Sequence, residues 1–412
     1  MQQQAELAMP AQETDVPIRY AHIDVLRGIA VFGILVVNIW SFVWGFGSLR
    51  YGVLPDQATF VDKAAIFGIA FLAEQKFYPI FAFLFGAGLA LQGGPLESGI
   101  GERALAQRRY RRRLAGLLGL GIIHGTLVWG GDILTIYGSI GFLIVGLAGA
   151  QRKAIGIQLW NWTVVWLTLI ACNIAMALTA YADSDPYTLG ARLIGEARSA
   201  HLAYAHGSPV RQFLQRLFDY AAVTMNSLFM VPHVLVLFLL GLYSVRAGWL
   251  TEPQRHAGLW RRVRLTGYAF GIPFNLLWAW VVLRETSNPF DANVFGLTVY
   301  SLLPLGGSLL AAAYVATVML AAGRRSTAQA SRLAPVGRMA LTNYLAQSAF
   351  GVLLLQAVGL GWGRHVAEAP ALLLPLLALI MVCQTAFSRW WLSKHAQGPL
   401  ERLMARYVRR SG

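Results

Sequence analysis

Long apolar runs alternate with short polar segments along the whole chain. Ten of these runs come close to the roughly 20 residues that a helix needs to cross about 30 Å of hydrocarbon. In chain order the predicted spans are residues 24–44, 76–92, 113–129, 133–150, 155–179, 221–244, 265–283, 297–321, 338–361 and 371–391. The pattern predicts an all-α, polytopic transmembrane helix bundle of about ten spans, and the even number places both termini on one side of the membrane.

Composition and charge refine this prediction. Hydrophobic residues make up 56% of the 412 residues and charged residues only 13%, which is typical of a membrane protein. The formal net charge is +15, but most Lys and Arg fall in alternate loops between the spans. Because cytoplasmic loops are enriched in Lys and Arg, we predict that both termini are cytoplasmic. The distribution of Lys and Arg among the loops explains the positive net charge, so no nucleic-acid partner is expected.

The chain is predicted to form one transmembrane bundle over residues 19–395, between a polar cytoplasmic tail at 1–18 and a basic cytoplasmic tail at 396–412. Two extracytoplasmic segments are long enough to carry structure. Residues 54–75 are amphipathic and are predicted to lie along the outer surface. Residues 181–220 form a surface helix pair, a lid over an outer cavity, or an ordinary connecting loop.

Polar side chains inside the spans are informative, because in a bilayer they must face the protein interior or a water-filled cavity. In the first span Asp24, Arg27 and Asn38 share one face of a helix. Asn38 lies roughly 16 Å beyond Arg27 along the helix axis. It either borders a cavity or forms one hydrogen bond to a neighbouring helix.

The third span carries His124, and Asp132 follows it after two glycines. His124 is also roughly 16 Å from its cytoplasmic arginine, so it and Asn38 could border one cavity. Histidine exchanges a proton near neutral pH, which suits a general base or a transient acyl carrier; the alternative is a neutral ring bonded to a backbone carbonyl. Asp132 orients His124, binds an outer substrate, or caps the next helix.

Arginines recur at the cytoplasmic ends of the first, third and ninth spans, as Arg27, Arg112, Arg113 and Arg338. Guanidinium groups there suit a phosphorylated donor, and the alternative is contact with lipid phosphates as topology signals. Asn343, near the start of the ninth span, is assigned to the same predicted donor site.

Three more residues have predicted roles. Gln347 shares a helix face with Asn343, and Trp129 follows His124; both are predicted to contact a substrate. His233 follows Pro232 and is predicted to be structural, bonded to a carbonyl that the proline frees. The sequence contains no Walker loop, dinucleotide fingerprint, zinc-protease pair or catalytic-serine elbow, so those chemistries are not expected.

Five blocks, in order, resemble the YeiB-like bacterial membrane proteins grouped under domain of unknown function 418: "HIDVLRGIAVFGILVVNI", "KFYPIFAFLFGAGLAL", "RRRLAGLLGLGIIHGTLVWGGDILTIYG", "VGRMALTNYLAQS" and "GPLERL". That family resembles membrane acyltransferases of the heparan-alpha-glucosaminide N-acetyltransferase group and the sugar O-acyltransferases. In those relatives the first span also reads Asp, two residues, Arg-Gly and then a polar residue, as in Asp24, Arg27, Gly28 and Asn38 here.

The resemblance implies a multi-pass protein of the bacterial cytoplasmic (inner) membrane that takes acyl groups from cytosolic acyl-CoA. The acceptor it implies is a sugar or a lipid-linked glycan. Residues 19–220 are the acyltransferase-like half, and residues 221–395 carry the family signature. This chain departs from the relatives because Asn38 stands where the O-acyltransferases have histidine, and residues 39–53 lack the histidine of the glucosaminide enzyme. His124 is therefore the predicted replacement.

The sequence supports three functional hypotheses. The first is an acyltransferase with His124, Asn38 and Asp132 as catalytic candidates, acyl-CoA as co-substrate, and neither a tightly bound cofactor nor a metal. The second is a transporter or lipid translocator in which the same polar residues line a permeation path. The third is a scaffold with a degenerate site. Membrane lipid is an expected partner of all three, and a homo-oligomer is compatible with each.

Overall fold

A computed structural model describes residues 20–47, 49–92, 100–182, 185–322 and 327–409. Within these ranges the regular elements are all helical and no strand occurs, which confirms the all-α prediction. The predicted polar tail at 1–18 and residues 410–412 of the predicted basic tail lie outside the described residues.

Sixteen α-helices occur in the described residues. They are α1 (Ala21–Asn38), α2 (Ser41–Trp44), α3 (Phe60–Leu72), α4 (Phe77–Gln92), α5 (Ile100–Ile123), α6 (Leu134–Ile144), α7 (Arg152–Ala182), α8 (Pro186–His206), α9 (Pro209–Arg246), α10 (Ala257–Ser287), α11 (Val294–Ala321), α12 (Thr327–Arg338), α13 (Ala340–Leu355), α14 (Gly363–Val366), α15 (Leu373–Lys394) and α16 (Pro399–Arg409). Short 3₁₀ turns follow α6 and precede α11 and α15, and a π-helical turn, His124–Val128, follows α5.

All ten predicted spans overlap helical structure. Among the described residues, seven stretches are long and apolar enough to cross a membrane. They are Ala21–Trp44, Phe60–Gln92, Arg152–Thr179, Pro209–Arg246, Ala257–Ser287, Val294–Ala321 and Pro370–Lys394. Leu134–Gly149 and Ala340–Leu355 are apolar but shorter. The chain is thus a multi-pass helical membrane protein, while the count of ten and the side of the termini stay predictions.

The second span differs from its prediction. Residues 54–75 were expected on the outer surface, but α3 buries Ala65, Ile66 and Ile69 and packs against α10. Together α3 and α4 form one apolar stretch, Phe60–Gln92, which is interrupted at residues 73–76. The second span is therefore a discontinuous helix, and the segment expected on the surface is its first half.

Glycines allow close contact between helices that are distant in sequence. α1 crosses α12 where Gly28 meets Gly337, and a Cβ at Gly337 would lie 1.8 Å from the Asp24 carbonyl oxygen. α4 crosses α9 similarly, because a Cβ at Gly86 would lie 1.9 Å from the Phe238 carbonyl oxygen. Such contacts between small residues are typical of helix packing in membranes. They join the first third of the chain to later helices.

Residues 181–220 contain a helix pair, α8 and the first turns of α9. Asp185 and Ser208 cap the two helices, each followed by a proline at the first helical position. α9 has 38 residues and is therefore roughly 57 Å long. Its first part extends beyond the predicted span and packs on the π-helical turn, so this segment covers the end of α5 that carries His124.

Candidate functional site

The candidate site is built on the end of α5. Its last helical residues form a π-helical turn, in which the Trp129 N–H donates to the His124 carbonyl at 2.9 Å. Turns of this width are rare and occur frequently at functional sites. Gly130 and Gly131 follow in close contact with other parts of the chain. A Cβ at Gly131 would lie 2.1 Å from the Phe46 ring, so only glycine allows this tight return into α6.

The return brings Asp132 against His124. His124 Nδ1 and Asp132 Oδ1 form a hydrogen bond of 2.9 Å, and the other carboxylate oxygen accepts from the Thr135 N–H at 2.7 Å. Asp132 therefore both orients the imidazole and caps α6, which were alternatives in the sequence. His124 is 2% exposed and does not face lipid.

The second ring nitrogen of His124, Nε2, forms no hydrogen bond with the described residues. This nitrogen is buried. An ionised carboxylate can only accept, so Nδ1 carries the hydrogen, and in the neutral ring Nε2 keeps its lone pair. Of the buried side-chain atoms without a partner in the described residues, Nε2 is the one imidazole nitrogen. The arrangement matches a general base held by a carboxylate.

Two aromatic rings enclose the imidazole. The ring centroids of Tyr344 and Trp129 lie 5.4 and 6.3 Å from that of His124. The Tyr344 hydroxyl accepts from the Ile133 N–H at 3.2 Å and donates to the Gly131 carbonyl at 3.4 Å. Tyr344 thus fixes the turn that carries Asp132. The sequence had not singled it out, although it lies between Asn343 and Gln347 in the family block.

Trp129 and Tyr344 also line a narrow pocket, about 170 Å³ of space between atoms, none of it wide enough for the centre of a water molecule. Its lining residues are Leu35, Asn38, Phe42, Trp129, Tyr344, Gln347 and Ser348. Trp129 Nε1 has no hydrogen-bond partner among the described residues. Asn38 borders this pocket, which is one of the two interpretations that its sequence position allowed. The same two aromatic residues connect the Asn38 pocket to His124.

Two of the arginines predicted to bind a donor, Arg27 and Arg113, lie close together. Arg27 pairs with Asp24 at 3.1 Å, and Arg113 Nη1 donates to Gln92 Oε1 at 2.5 Å. Burial raises the pKa of Tyr110 to about 12, and the positive charges of Arg113 and Arg27 act in the opposite direction. Arg27 and Arg113 are therefore near the same phenol, and a shared basic site for a phosphorylated donor stays a prediction.

The other predicted donor residues have separate surroundings. Arg112 is half-buried on α5. The Arg338 Nη2 donates to the Ala396 carbonyl at 3.1 Å, in the segment before α16. Asn343 is 1% exposed, and its amide donates to Val336 O and Ser388 Oγ. Its amide group thus joins α12, α13 and α15, and a role in donor binding stays a prediction.

Gln347 lines the pocket but is also bound to α15. Its Nε2 donates to Gln384 Oε1 at 2.9 Å, and Gln384 in turn donates to the Asn343 carbonyl at 2.9 Å. A substrate-facing role stays a prediction.

The helix pair adds polar groups that the sequence did not single out. Arg216 Nη1 donates to the Leu127 carbonyl at 2.8 Å, within the π-helical turn. Asp219 accepts from the Tyr204 hydroxyl at 2.6 Å and from Gln215 at 2.9 Å. These buried residues tie α8 and α9 to the end of α5. Arg216 and Asp219 lie on α9 before the predicted span, and their charge was the feature of the sequence that could have indicated this role.

A second buried histidine has different surroundings. The hydroxyls of Tyr78 and Ser308 hydrogen-bond to Nδ1 and Nε2 of His233, each at 2.8 Å. Its ring stacks on Trp166 at 4.3 Å. The structural role predicted for His233 agrees with this geometry, but its partners are hydroxyl groups and not a carbonyl freed by Pro232.

The break between α3 and α4 forms a second polar centre. Glu74 is buried and accepts from the Tyr51 hydroxyl at 2.9 Å and from Trp278 Nε1 at 3.0 Å. Lys76 is fully buried, and its Nζ donates to the Ala70 carbonyl at 2.8 Å. Gln75 between them has a φ of +62°, which is uncommon for a residue with a side chain. Charged residues at such a depth are costly and mark functional regions.

Comparison with known proteins gives one consistent result. Residues 244–411 match the family model described as "Protein of unknown function (DUF418)". The "Uncharacterized protein YxaH" of Bacillus subtilis is 30% identical over 401 residues, covering 93% of this chain and 92% of that protein. The chain belongs to the DUF418 family. A second relative, "Uncharacterized protein YeiB" of Escherichia coli, is 29% identical over 410 residues, which cover 93% of this chain and 94% of that one. The family resemblance of the sequence blocks is thereby confirmed.

Proposed function

We propose that this DUF418 protein is a membrane-bound acyltransferase that moves an acyl group from cytosolic acyl-CoA to an extracytoplasmic or lipid-linked sugar, or to a similar acceptor. The observation that carries the proposal is the pairing of His124 with Asp132, which leaves Nε2 buried and without a partner. A neutral imidazole held in this tautomer is suited to remove a proton from a hydroxyl or amine.

The proposed step begins when His124 Nε2 takes the proton of the acceptor O–H or N–H. The acceptor atom attacks the thioester carbonyl carbon, and the C–S bond breaks as the thiolate of coenzyme A leaves with the electron pair. The imidazolium then returns its proton to the thiolate. Asp132 acts as a positioning residue, because its carboxylate holds the ring and stabilises the positive charge that forms.

Two hydrogen-bond donors at the pocket support stabilisation of the developing oxyanion. The Trp129 indole N–H and the Asn38 side chain both belong to the pocket beside His124. Preorganised donors in a water-excluded site stabilise charge more strongly than the same donors do in water. Removing one such donor typically costs about 10²–10³ in rate.

Four arginines on α1, α5 and α12 are proposed to bind the phosphates of acyl-CoA. Arg27 and Arg113 lie near the Tyr110 phenol, Arg112 precedes Arg113 on α5, and Arg338 is the last residue of α12. Guanidinium groups bind phosphates well. His124 is roughly 16 Å further along α5 than Arg113, so the donor needs a long flexible arm between its phosphates and its thioester, as acyl-CoA has.

The pocket is closed in this structure, so turnover requires an opening movement. The α8 and α9 pair covers the end of α5 through Arg216, and it is the element that we expect to move. The proposal also includes location in the bacterial cytoplasmic membrane with both termini inside, which is supported by the distribution of Lys and Arg.

The test is turnover of radiolabelled acetyl-CoA by the purified full chain in lipid nanodiscs. We expect hydrolysis, exchange or transfer in the wild type and its loss in His124→Gln. His206→Gln is the matched control, because His206 is exposed on α8 and makes no contact with the pocket. Absence of turnover with short- and long-chain acyl-CoA, or equal rates in both variants, would overturn the proposal.

A transporter is the second candidate, and the discontinuous second span favours it. Broken helices with buried charged groups near the bilayer midplane are typical of secondary transporters. Glu74 and Lys76 occupy such a break. The discriminating measurement is flux into proteoliposomes. Flux of an unmodified solute that is lost in Lys76→Met but retained in His124→Gln would favour transport.

A further inference from the structure

A second, larger cavity lies on the opposite side of α1 from Asn38. It has a volume of about 570 Å³, within the range of ligand sites. On α1 it is lined by Ile29, Phe32 and Val36, which share a helix face at i, i+3 and i+7. Asn38 points the other way on this helix, so α1 separates the cavity from the His124 pocket.

The cavity has only apolar lining residues. Its other walls are α3, α12 and α15, represented by Gly68, Leu333 and Met381. Most of the lining belongs to Ala21–Trp44, Phe60–Gln92 and Pro370–Lys394, which are long and apolar enough to cross a membrane. Inside a bilayer the medium that reaches such a crevice is hydrocarbon, and water gains no hydrogen bonds from an apolar lining.

The helix α3 forms one wall of the crevice and leaves it open to the side. At one end the Ala371 N–H donates to Asp62 Oδ1 at 2.8 Å and joins α3 to the turn before α15. Deeper, α3 presents small residues, and a Cβ at Gly68 would meet nothing within 4 Å. Leu72 is 51% exposed at the rim, so the space between α3 and α15 opens sideways to the lipid.

We propose that this crevice binds one acyl chain of a bilayer phospholipid. The chain lies along Ile29–Val36 of α1 and reaches Ala73 and Phe77, the residues on either side of the helix break. The headgroup lies at the Leu333 end, where the exposed Arg332 pairs with its phosphate. This inference rests on the shape and lining of the crevice and is independent of the proposed enzymatic function.

The test uses the full chain in nanodiscs that contain a phosphatidylglycerol with a diazirine in the middle of one acyl chain. After illumination, mass spectrometry locates the label. We expect label on the lining segments of α1 and α3 in the wild type. Gly68→Phe fills the crevice and should lower that labelling at least fivefold.

Gly119→Phe is the matched control, because a Cβ at Gly119 on α5 also meets nothing within 4 Å. It should leave the labelling of α1 and α3 unchanged. Ala64→Phe, one helical turn before Gly68, serves as the second filling variant if Gly68→Phe does not yield a monodisperse protein. Equal labelling in wild type and filling variants would overturn the proposal, since the lipid then only surrounds the bundle.

A second arm distinguishes the source of the chain. The same nanodiscs are prepared with a diazirine-bearing polyprenyl phosphate. Competition by unlabelled phospholipid, with little labelling by the polyprenyl probe, supports an acyl chain. Labelling of α1 and α3 by the polyprenyl probe alone would overturn the phospholipid assignment in favour of an isoprenoid.

Discussion

Two histidines are buried in the bundle, and they differ in how their rings are bonded. His233 has a hydroxyl on each nitrogen and an indole stacked on its face. His124 has a carboxylate on one nitrogen and no partner on the other. A ring with both nitrogens bonded stabilises the packing of helices. A ring with only one nitrogen hydrogen-bonded is held in place, and its other nitrogen can still accept a proton. For this reason we assign the proposed catalytic role to His124 and a structural role to His233.

The largest expected effect on turnover follows from removing Nε2 of His124. His124→Gln should lower acyl-CoA turnover by about 10³-fold, because general acid–base catalysis contributes about 10²–10⁴. Unfolding in SDS-containing mixed micelles should show little change in stability. If His233→Gln lowers the rate per folded molecule as much as His124→Gln does, the two rings do not differ in function.

His233→Ala should affect stability instead. It leaves the hydroxyls of Tyr78 and Ser308 without a partner and opens a cavity beside Trp166, so we expect a loss of about 2–4 kcal/mol of unfolding free energy. The measurement is the same micelle titration, with turnover per folded molecule within threefold of wild type. A stable variant would show that the hydroxyl contacts contribute little.

Asp132→Asn tests whether orientation of the ring matters. Asn can still cap α6, so stability should change by less than about 1 kcal/mol. Turnover should fall about 100-fold, because the amide can hold the ring in the wrong tautomer. Thr135→Ala serves as the control for the cap region, and a rate unchanged in Asp132→Asn would contradict the assigned positioning role.

The smallest expected effect concerns the helix pair. Burial lowers the pKa of His201 below its ordinary value of 6.5, while the Val43 carbonyl acts weakly in the other direction. The folded state thus binds a proton less readily than the unfolded state, so docking of α8 is strongest above about pH 6.5 and weakens as the pH falls below it. Hydrogen exchange of α8 at pH 7.5 and 5.5, corrected for intrinsic rates, measures this; His201→Gln should abolish the difference.

The helical class and much of the site were predictable from local patterns. Apolar runs of membrane-spanning length fall on helices in the structure because burial in hydrocarbon requires complete backbone hydrogen bonding within each segment. His124 and Asp132 are eight residues apart, and the two glycines between them signalled the turn that brings them together. The sequence could not decide whether Asp132 orients His124 or caps α6. In the structure one carboxylate oxygen bonds to His124 and the other to the Thr135 N–H, so Asp132 has both roles.

The discontinuous second span was not predictable in this way. Residues 73–76 read as a polar boundary because charges normally mark the membrane surface. Glu74 and Lys76 are nevertheless buried, and one partner of Glu74 is Trp278, which is 204 residues away. Tyr344 was missed for a similar reason, since its hydroxyl is defined by contacts with a turn more than 200 residues earlier.

The last helix has a consequence for how the protein is made. Glu401 accepts hydrogen bonds from the backbone amides of Leu341 and Thr342, and so caps α13 from 60 residues downstream. While the ribosome is still translating that interval, the start of α13 has no such acceptor. The cap can form only after α16 has been synthesised and has folded back, so we expect a fusion that displaces α16 to loosen the start of the helix that carries Tyr344.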